Sequence, residues 1–540
     1  MGIPSYFSFI VKNHSSIIKK LRDPVKRISH LYLDCNSIIY EAVHTICFKN
    51  WAEKDGSKTS IIIHWSILKI EEYISLIKPD TTIFIAFDGV APVAKMAQQR
   101  GRRYKSAHQA IVSKNIFKEA STIQDMWNTS SITPGTEFMD ELNKSMRMYF
   151  SQSQMNEKLG VSKIIVSGSD EVGEGEHKIF QYIRLNEESH KNTSTIIYGL
   201  DADLIMLCIT HLPINPNIYL FRETPHFIQN LDKTLEPSQT YMLDIPELAR
   251  IITLDMSDKN PNNTINRIYD YILICFMLGN DFLPHFPAIN IRTGGIHKLL
   301  NAYKATIGKT SSVLTDGTHI CWAQFRKFIG FLAAQEEEFL KTETKQRDRQ
   351  EKYVLPTDTP ENTYKKFELL PSYERQSEKF INPYRLHWQT RYYTALFKTT
   401  IDDTRRSQIC INYLEGLEWT LKYYTTNCPD WRYSYKYEYP PLLEDLHKFI
   451  PSFDTEFMPI KPVLPVSPEV QLCFVLPKTS LDLIPGAVGK LIREKYPHLY
   501  PNDCDFVWAY CKYFWESHVE LPEFDIEELV AIVESTKTKI

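Results

Sequence analysis

Residues 29–35 read SHLYLDC and residues 82–88 read TIFIAFD, two short runs of apolar, β-branched and aromatic side chains with an aspartate at or near the end of each. Two similar runs follow, KIIVS at 163–167 and STIIYGL at 194–200, and longer helix-like segments separate all four. Strands that alternate with helices predict an α/β fold with a largely parallel central sheet flanked by helices. In such sheets, binding sites form at the carboxyl ends of the strands.

The chain of 540 residues is longer than the roughly 250–300 residues that one hydrophobic core usually serves. We predict a first region over 1–310, an irregular linker segment over 311–380 and a mostly helical second region over 381–540 that packs around the first. The linker is expected because residues 341–379 are charged, rich in helix breakers and without a clean hydrophobic period. Apolar residues at 43% and charged residues at 24% exclude wholesale disorder.

Composition also limits the environment of the protein. No apolar run approaches the roughly 20 residues of a membrane helix, and the start MGIPSY matches neither a signal peptide nor a myristoylation motif. The ten cysteines contain no C-x-x-C pair, which argues against a zinc ribbon or a disulfide framework. The formal charge of −4 means that a nucleic-acid site would need a local basic patch. We expect a soluble protein of a reducing compartment.

Acidic residues stand at the predicted strand ends and in the turns that follow apolar segments. They are Asp34, Asp88, Glu174, Glu176, Asp201, Asp203 and Asp281. Buried carboxylates need partners, and few basic residues stand near these in the sequence, so the pattern indicates a bound cation. Oxygen ligands favour Mg²⁺ or Mn²⁺, and two ions are a common device for displacement at phosphorus. For single residues such as Asp34 and Glu174, helix N-capping is an open alternative.

A basic helix face follows Asp88 closely in the sequence. At about 100° per residue, Lys95, Gln99, Arg102 and Arg103 fall on one face of a helix that would begin after Pro92. Guanidinium groups bind phosphate oxygens in pairs, so this face suits a terminal phosphate. A solvated basic surface is the alternative.

Aromatic residues form the third pattern. Tyr40 follows Asp34 closely, and the second region has a dense aromatic run that includes Trp419, Trp431 and Tyr433. Bases stack on such rings at roughly 1–3 kcal/mol each. Most of these rings are expected to be structural, and one or two to stack on bases.

These motifs, taken together and in order, are similar to those of the Xrn family of 5′→3′ exoribonucleases. In the first region the matching segments are MGIPSYF at 1–7, LYLDCN at 31–36, FDGVAP at 87–92, KMAQQRGRR at 95–103, ITPGTEF at 132–138, GEGEHK at 173–178, YGLDADL at 198–204 and GNDFLPH at 279–285. In the second region they are YLEGLEW at 413–419, the aromatic run at 423–440 and LPKTS at 476–480. The resemblance extends over nearly the whole chain.

The resemblance implies a PIN/FEN-like nuclease core in the first region, with the second region as a wall of the active site. It implies that the seven acids bind divalent metal, with Mg²⁺ or Mn²⁺ and two ions expected, and carry the hydrolysis. It also implies that Lys95, Gln99, Arg102 and Arg103 hold the 5′-monophosphate of single-stranded RNA, while Tyr40 and Trp431 stack on its bases. The expected role is mRNA decay after decapping, with the decapping machinery as a candidate partner. We expect a monomer, and we expect it in the cytoplasm, with the nucleus as the alternative.

The sequence departs from the family pattern in three places. Tyr40 stands where the family commonly has histidine, and Ser37 where it has glycine. The family's pair of tryptophans around one residue is Trp431-Arg-Tyr433 here, so either aromatic residue could be the stacking one. The number of residues before Asp34 is similar to that in the cytoplasmic branch of the family. The long C-terminal extension of that branch is missing from this sequence, so we expect a minimal core.

Two other functions share features with this pattern. A flap-type, structure-specific DNA nuclease shares the acids at strand ends, but a helix-hairpin-helix with G-x-G would then follow Asp281, where this chain has FLPHFPAIN. An inactive RNA-binding scaffold is the alternative from a different class. The presence of all seven acids argues against it.

Overall fold

The computed structural model describes residues 2–21, 27–46, 57–117, 127–222, 240–257 and 264–537. Its strands are β1 Ile18–Lys20, β2 His30–Asp34, β3 Thr82–Ala86, β4 Lys163–Ser167, β5 Thr195–Tyr198, β6 Ile218–Phe221, β7 Tyr241–Asp244, β8 Asp505–Val507 and β9 His518–Glu520. The helices of the first region are α1 Tyr6–Asn13, α2 Asn36–Thr45, α3 Lys58–Ile77, α4 Val93–Phe117, α5 Glu137–Phe150, α6 Met155–Leu159, α7 Gly175–Leu185, α8 Glu187–His190, α9 Asp203–Thr210, α10 Ile245–Met256, α11 Thr264–Phe276 and α12 Gly295–Tyr303.

The first region is built on a seven-stranded sheet with the order β1-β7-β6-β5-β2-β3-β4. Strands β4, β3, β2, β5 and β6 are parallel, whereas β7 is antiparallel to both β6 and β1. The four strands predicted from the sequence are β2 to β5, neighbours in the parallel part. The predicted α/β fold with a largely parallel central sheet is therefore confirmed.

Helices cover both faces of this sheet, and alternate residues of the central strands face opposite layers. Leu31 and Leu33 of β2 pack in one apolar cluster with Ile38 of α2 and with residues of α3 and α5. Tyr32, between them, packs on the other face, with its ring centroid 6.0 Å from that of Phe84. The sheet is thus buried on both sides, as its continuous apolar strands indicate.

The second region is mainly helical and shares the core of the first. The helices from residue 311 onward, those of the segment 311–380 included, are α13 Trp322–Ala333, α14 Glu336–Glu351, α15 Pro360–Glu368, α16 Leu370–Tyr373, α17 Gln376–Ile381, α18 Trp388–Phe397, α19 Asp403–Thr425, α20 Leu443–Phe449, α21 Pro468–Val475, α22 Gly486–Lys495 and α23 Ile526–Lys537. Tyr413, Leu417 and Trp419 of α19 belong to the same cluster of buried residues as Tyr32. Across the described ranges, every helix is too short or too polar to cross a membrane.

The prediction of an irregular segment over 311–380 is wrong, because most of it forms α13 to α17. The hydrophobic period was missing because the inward side of α14 carries charge. Arg347 is buried and binds Glu378 through two hydrogen bonds of 2.8 and 2.7 Å, and Arg375 donates to the same carboxylate at 2.7 Å. A buried ion network here takes the place of an apolar stripe. The division of the chain at 310 and 380 stays a prediction.

Candidate active site

Neighbouring parallel strands bring Asp34 and Asp88 to one edge of the sheet. Asp34 ends β2, and Asp88 follows β3. The main chain of Gly175, at the start of α7, lies against both carboxylates: a Cβ there would lie 2.8 Å from Asp34 Oδ1 and 3.4 Å from Asp88 Oδ1. Gly175 N donates to Asp88 Oδ1 at 2.7 Å, and Asn36 Nδ2 donates to Asp88 Oδ2 at 2.6 Å. These two donors fix the orientation of the Asp88 carboxylate.

Lys95 connects two further acids of the predicted set. Its Nζ lies 2.6 Å from Glu174 Oε2 and 2.8 Å from Asp281 Oδ2, and all three side chains are at most 10% exposed. Burial lowers the pKa of Lys95, but the charges of Asp281 and Glu174 outweigh it and raise that pKa well above its usual value. Lys95 is therefore a cation held among the carboxylates.

Asp203 and Asp201 complete the arrangement at the end of β5. Asp203 is the first residue of α9 and is buried, whereas Asp201 is exposed. Gly2 packs directly on Asp203, because a Cβ at Gly2 would lie only 1.9 Å from Asp203 Oδ1. The charge of Asp201 contributes, after burial and Asp88, to a raised pKa of Asp34, so these carboxylates also lie near one another.

Helix capping does not account for Asp34 or Glu174. Glu174 occupies the N-cap position of α7, yet its side chain makes no capping hydrogen bond. Helix α2 begins after Cys35, and the Asp34 carboxylate lies against Gly175 of another helix. The structure thus removes the N-cap alternative for both residues.

Several acids of the cluster have raised pKa values, because burial and neighbouring carboxylates disfavour their charged forms. Burial, then the neighbouring Asp88, raises the pKa of Asp34, and burial, then Asp203, raises that of Glu176. Burial and the charge of Asp281 raise the pKa of Asp203 to about 7. Within the described parts of the chain, Asp34 Oδ1, Glu176 Oε2 and Asp203 Oδ1 are buried without a hydrogen-bond partner. A divalent cation would satisfy these oxygens.

One set of donor atoms is already close enough to share an ion. Ligand atoms of Glu174, Glu176 and His177 all lie within 4.8 Å of one another. The His177 ring is stacked on Tyr423 with a centroid distance of 3.7 Å. The two glutamates, like the other five acids, offer the oxygen ligands that Mg²⁺ and Mn²⁺ prefer.

The predicted basic face lies on α4, next to the acids. Gln99 Oε1 and Arg103 Nη1 are buried and, among the described residues, have no hydrogen-bond partner, while Arg103 Nη2 donates to Thr133 Oγ1 at 2.6 Å. Burial lowers the pKa of Arg103 to about 10, an effect that the Tyr40 hydroxyl opposes and Arg102 strengthens. Tyr40 and Arg102 therefore lie near Arg103. Of the four predicted phosphate ligands, Lys95 forms ion pairs with the carboxylates, and the charge of Arg102 also acts on Asp281.

Trp431 and Tyr433, the two candidates for base stacking in the second region, differ in the contacts they make. Trp431 is half-buried, and its carbonyl oxygen accepts a hydrogen bond of 3.0 Å from the N–H of Val93, the first residue of α4. Tyr433 is buried, its ring is stacked on Trp419, and its hydroxyl donates to the Asn412 carbonyl at 3.0 Å. Trp431 thus lies beside the basic helix, whereas Tyr433 is occupied within the core.

Sequence reasoning missed three residues that organise the site. Gly2 and Asn36 stand in the motifs MGIPSYF and LYLDCN, which could have singled them out. Tyr423 donates its hydroxyl hydrogen to Glu174 Oε1 at 2.8 Å. It stands in an aromatic run in which spacing alone does not distinguish one ring from another.

The close packing of Gly2 leads to a testable expectation. For the RNA hydrolysis that the resemblance implies, Gly2→Ala should lower the rate strongly, because Gly2 has φ +54° and its new Cβ would displace Asp203. A displacement of about 1 Å at a reacting site can cost roughly 100-fold. The initial rate on RNA is the measurement. Gly486→Ala is the control, since Gly486 has φ +63° but open space around it; equal rates in the two variants would contradict the expectation.

A mostly parallel sheet with an acid cluster at its carboxyl edge is the architecture of a PIN-like nuclease core. The family model described as the XRN 5′-3′ exonuclease N-terminus matches residues 1–224. The model described as the Xrn1 helical domain matches residues 262–379 and 372–540. The chain belongs to the Xrn family.

Curated relatives match along nearly all of this chain. The 5′-3′ exoribonuclease 1 of Homo sapiens is 28% identical over 99% of this chain and 34% of its own length. The 5′-3′ exoribonuclease 1 of Saccharomyces cerevisiae is 28% identical over 92% of this chain and 40% of its own length. The Drosophila melanogaster 5′-3′ exoribonuclease 2 homolog is 26% identical over 98% of this chain and 70% of its own length. The chain thus spans well under half the length of the first two relatives. Its identities to exoribonucleases 1 and to the exoribonuclease 2 homolog are similar, so its place in the cytoplasmic branch of the family stays a prediction.

Proposed function

We propose that this chain is a divalent-metal-dependent 5′→3′ exoribonuclease that acts on single-stranded RNA with a 5′-monophosphate and releases nucleoside 5′-monophosphates. The observation that carries the proposal is the contact between the two halves of the site. Lys95 on the basic face of α4 reaches Glu174 and Asp281 in the acid cluster. An anion bound to this face would lie directly beside the carboxylates.

The substrate orientation follows from this contact. Arg102, Arg103 and Gln99 would bind the terminal phosphate. The buried Nη1 of Arg103, which lacks a partner among the described residues, is available to donate to it, and Gln99 would donate through its amide Nε2. The first phosphodiester would then face the acids, which gives cleavage from the 5′ end, one nucleotide at a time. Lys95 would contribute positive charge next to both groups. A cap or a triphosphate would need room beyond that of a single phosphate.

The seven acids would hold Mg²⁺, with Mn²⁺ as an alternative and two ions as the expected number. Bound ions of this kind activate water and stabilise the negative charge that develops on the phosphorus oxygens. The protein's own contribution is orientation: Gly175 N and Asn36 fix Asp88, Lys95 fixes Asp281, and Gly2 limits the movement of Asp203. Preorganised carboxylates of this kind lose little freedom when the reaction proceeds.

In a cell, decapping and endonucleolytic cleavage generate the 5′-monophosphate ends that this site suits. We therefore place the activity in RNA decay after such steps, with the cytoplasm as the expected compartment and a monomer as the expected state. The relatives named 5′-3′ exoribonuclease support RNA as the substrate through family membership.

The direct test is incubation of the purified protein with Mg²⁺ and RNA labelled at its 5′ or 3′ end. A 5′-phosphorylated strand should yield labelled nucleoside monophosphate at once from the 5′ label, while the 3′ label stays in long RNA until late. Early shortening from the 3′ end, or internal cuts, would overturn the proposal. Activity on DNA flaps with none on RNA would favour the flap-type alternative.

Base stacking gives a second measurable expectation. Trp431→Ala should weaken the hold on RNA by the roughly 1–3 kcal/mol of one stacked base and shorten processive runs, because this ring lies at the start of α4. Tyr40→Ala should act in the same direction. Run length, the number of nucleotides removed in one binding event, is measured by adding excess unlabelled RNA after the first turnover so that released enzyme cannot rebind the labelled strand. Tyr353→Ala, which removes a ring that is 68% exposed, is the control. If run length is unchanged in Trp431→Ala, this ring has no stacking role.

A further inference from the structure

The second region contacts the acid cluster through the side chain of Tyr423. Tyr423, on the last turn of α19, donates its hydroxyl hydrogen to Glu174 Oε1 at 2.8 Å, and this pair is separated by 249 positions in the sequence. Tyr423 is 3% exposed and Glu174 4%. The contact is therefore a buried hydrogen bond to a carboxylate, of the stronger, charge-assisted kind.

The ring of Tyr423 is fixed from several sides. Its centroid lies 3.7 Å from that of His177 and 4.8 Å from that of Trp419, with both pairs stacked. Phe282 meets it edge-on at 5.6 Å, with an interplanar angle of 88°. A ring held between two stacked neighbours and one edge contact has little freedom to rotate. Its hydroxyl group is consequently presented to Glu174 in one position.

The two oxygens of Glu174 have different partners. Oε2 lies 2.6 Å from Lys95 Nζ, and Oε1 accepts from Tyr423. With a donor on each oxygen, the plane of the carboxylate is defined before any cation binds. Each carboxylate oxygen retains a further lone pair for a metal ion. Hydrogen-bonding partners of metal ligands orient those ligands in this way.

We propose that Tyr423 is a positioning residue that orients Glu174 for metal binding, so that the second region takes part in forming the metal site. The inference rests on the proposed function, since Glu174 is one of the acids proposed to bind metal. It assigns to α19 a role in metal affinity as well as in packing. Removing the hydroxyl group alone should weaken metal binding and leave the fold unchanged.

The same helix provides a matched control. Tyr413 is also a fully buried tyrosine of α19, but its hydroxyl group has no hydrogen-bond partner among the described residues. Its ring packs edge-on against Phe286 at 5.1 Å. Tyr413→Phe therefore removes an equivalent atom from the same helix without changing any contact to the acids.

The experiment measures Mn²⁺ binding without RNA, by titration of the purified protein followed by electron paramagnetic resonance. Tyr423→Phe should bind Mn²⁺ roughly 10- to 100-fold more weakly than the parent, the usual cost of losing such a partner. Tyr413→Phe should bind as the parent does. In EDTA all three proteins should be folded and unfold in a cooperative transition, with a modest decrease in melting temperature for Tyr423→Phe from the lost hydrogen bond. With Mg²⁺ and RNA, Tyr423→Phe should need correspondingly more Mg²⁺ for half-maximal rate and recover much of its rate at saturation.

The outcomes separate the inference from the proposed function. Equal Mn²⁺ affinity in Tyr423→Phe and the parent would overturn the positioning role, and so would an equal loss in Tyr413→Phe. A parent that binds Mn²⁺ but leaves 5′-phosphorylated RNA intact would contradict the proposed function while leaving the positioning role in place. A parent that binds no Mn²⁺ would contradict both.

Discussion

Asp203→Asn should reduce RNA hydrolysis at least about 100-fold while leaving the fold intact. Asp203 is buried, its Oδ1 has no partner among the described residues, and it packs on Gly2. The amide has nearly the same shape but carries no negative charge, so it would fill the site without supporting a cation. Loss of a group that only orients a ligand costs roughly 10–100-fold, and loss of a ligand should cost at least as much. Asp201→Asn is expected to have a similar effect on the rate.

The same substitution should raise the melting temperature of the metal-free protein at neutral to alkaline pH. Burial and Asp281 raise the pKa of Asp203 to about 7 from an ordinary value of 3.8. A raised acid pKa means that folding favours the protonated form, so stability is lost as pH rises through about 7. Asparagine removes this loss, and its advantage should grow between about pH 4 and pH 8.

Calorimetry in EDTA at several pH values measures this advantage. Asp454→Asn removes an exposed acid and is the control, expected to match the parent in rate and melting temperature. Retained Mg²⁺-dependent turnover in both Asp201→Asn and Asp203→Asn would exclude these residues from the catalytic role. A lower melting temperature for Asp203→Asn at pH 8 would mean that this carboxylate has a stabilising partner.

The parallel centre of the sheet could be predicted because its strands are continuous apolar runs, the pattern of strands buried on both faces. The outer strands could not be predicted in the same way. β1 reads IKK and is only partly buried, so it has no apolar run to mark it as a strand. β6 and β7 have four residues each, as β5 does, so length alone does not explain why they were not predicted.

The acids of the site could be predicted because strand ends define a shared edge, and an edge collects residues that are far apart in sequence. The groups that orient them could not. Tyr423 is one ring among many in its segment, and only the packing of α19 brings it to Glu174. Similarly, the charged inner side of α14 gives no hydrophobic period, because its partners Arg375 and Glu378 come from the start of α17, later in the chain.

Selection among RNA 5′ ends is the second large expected effect. The parent should degrade 5′-monophosphorylated RNA far faster than RNA with a 5′-hydroxyl or a 5′-triphosphate. Arg103→Ala should narrow this preference by roughly ten- to a hundredfold, because a hydrogen bond to a charged group contributes about 1.5–3 kcal/mol. The buried Nη1 of Arg103, which has no partner within the described chain, is the group whose loss is expected to matter most.

The comparison of substrates separates phosphate recognition from general damage. For each protein, kcat/KM is measured on the three RNAs, and the ratio of the 5′-phosphate to the 5′-hydroxyl value is taken. Arg103→Ala should lose rate on the 5′-phosphate strand and stay near the parent on the 5′-hydroxyl strand, since only the former has the group that Arg103 binds. Lys114→Ala, an exposed cation on the same helix, controls for net charge. An equal fall on all three RNAs would assign Arg103 to the structure of α4 through its hydrogen bond to Thr133 instead of to the end of the substrate.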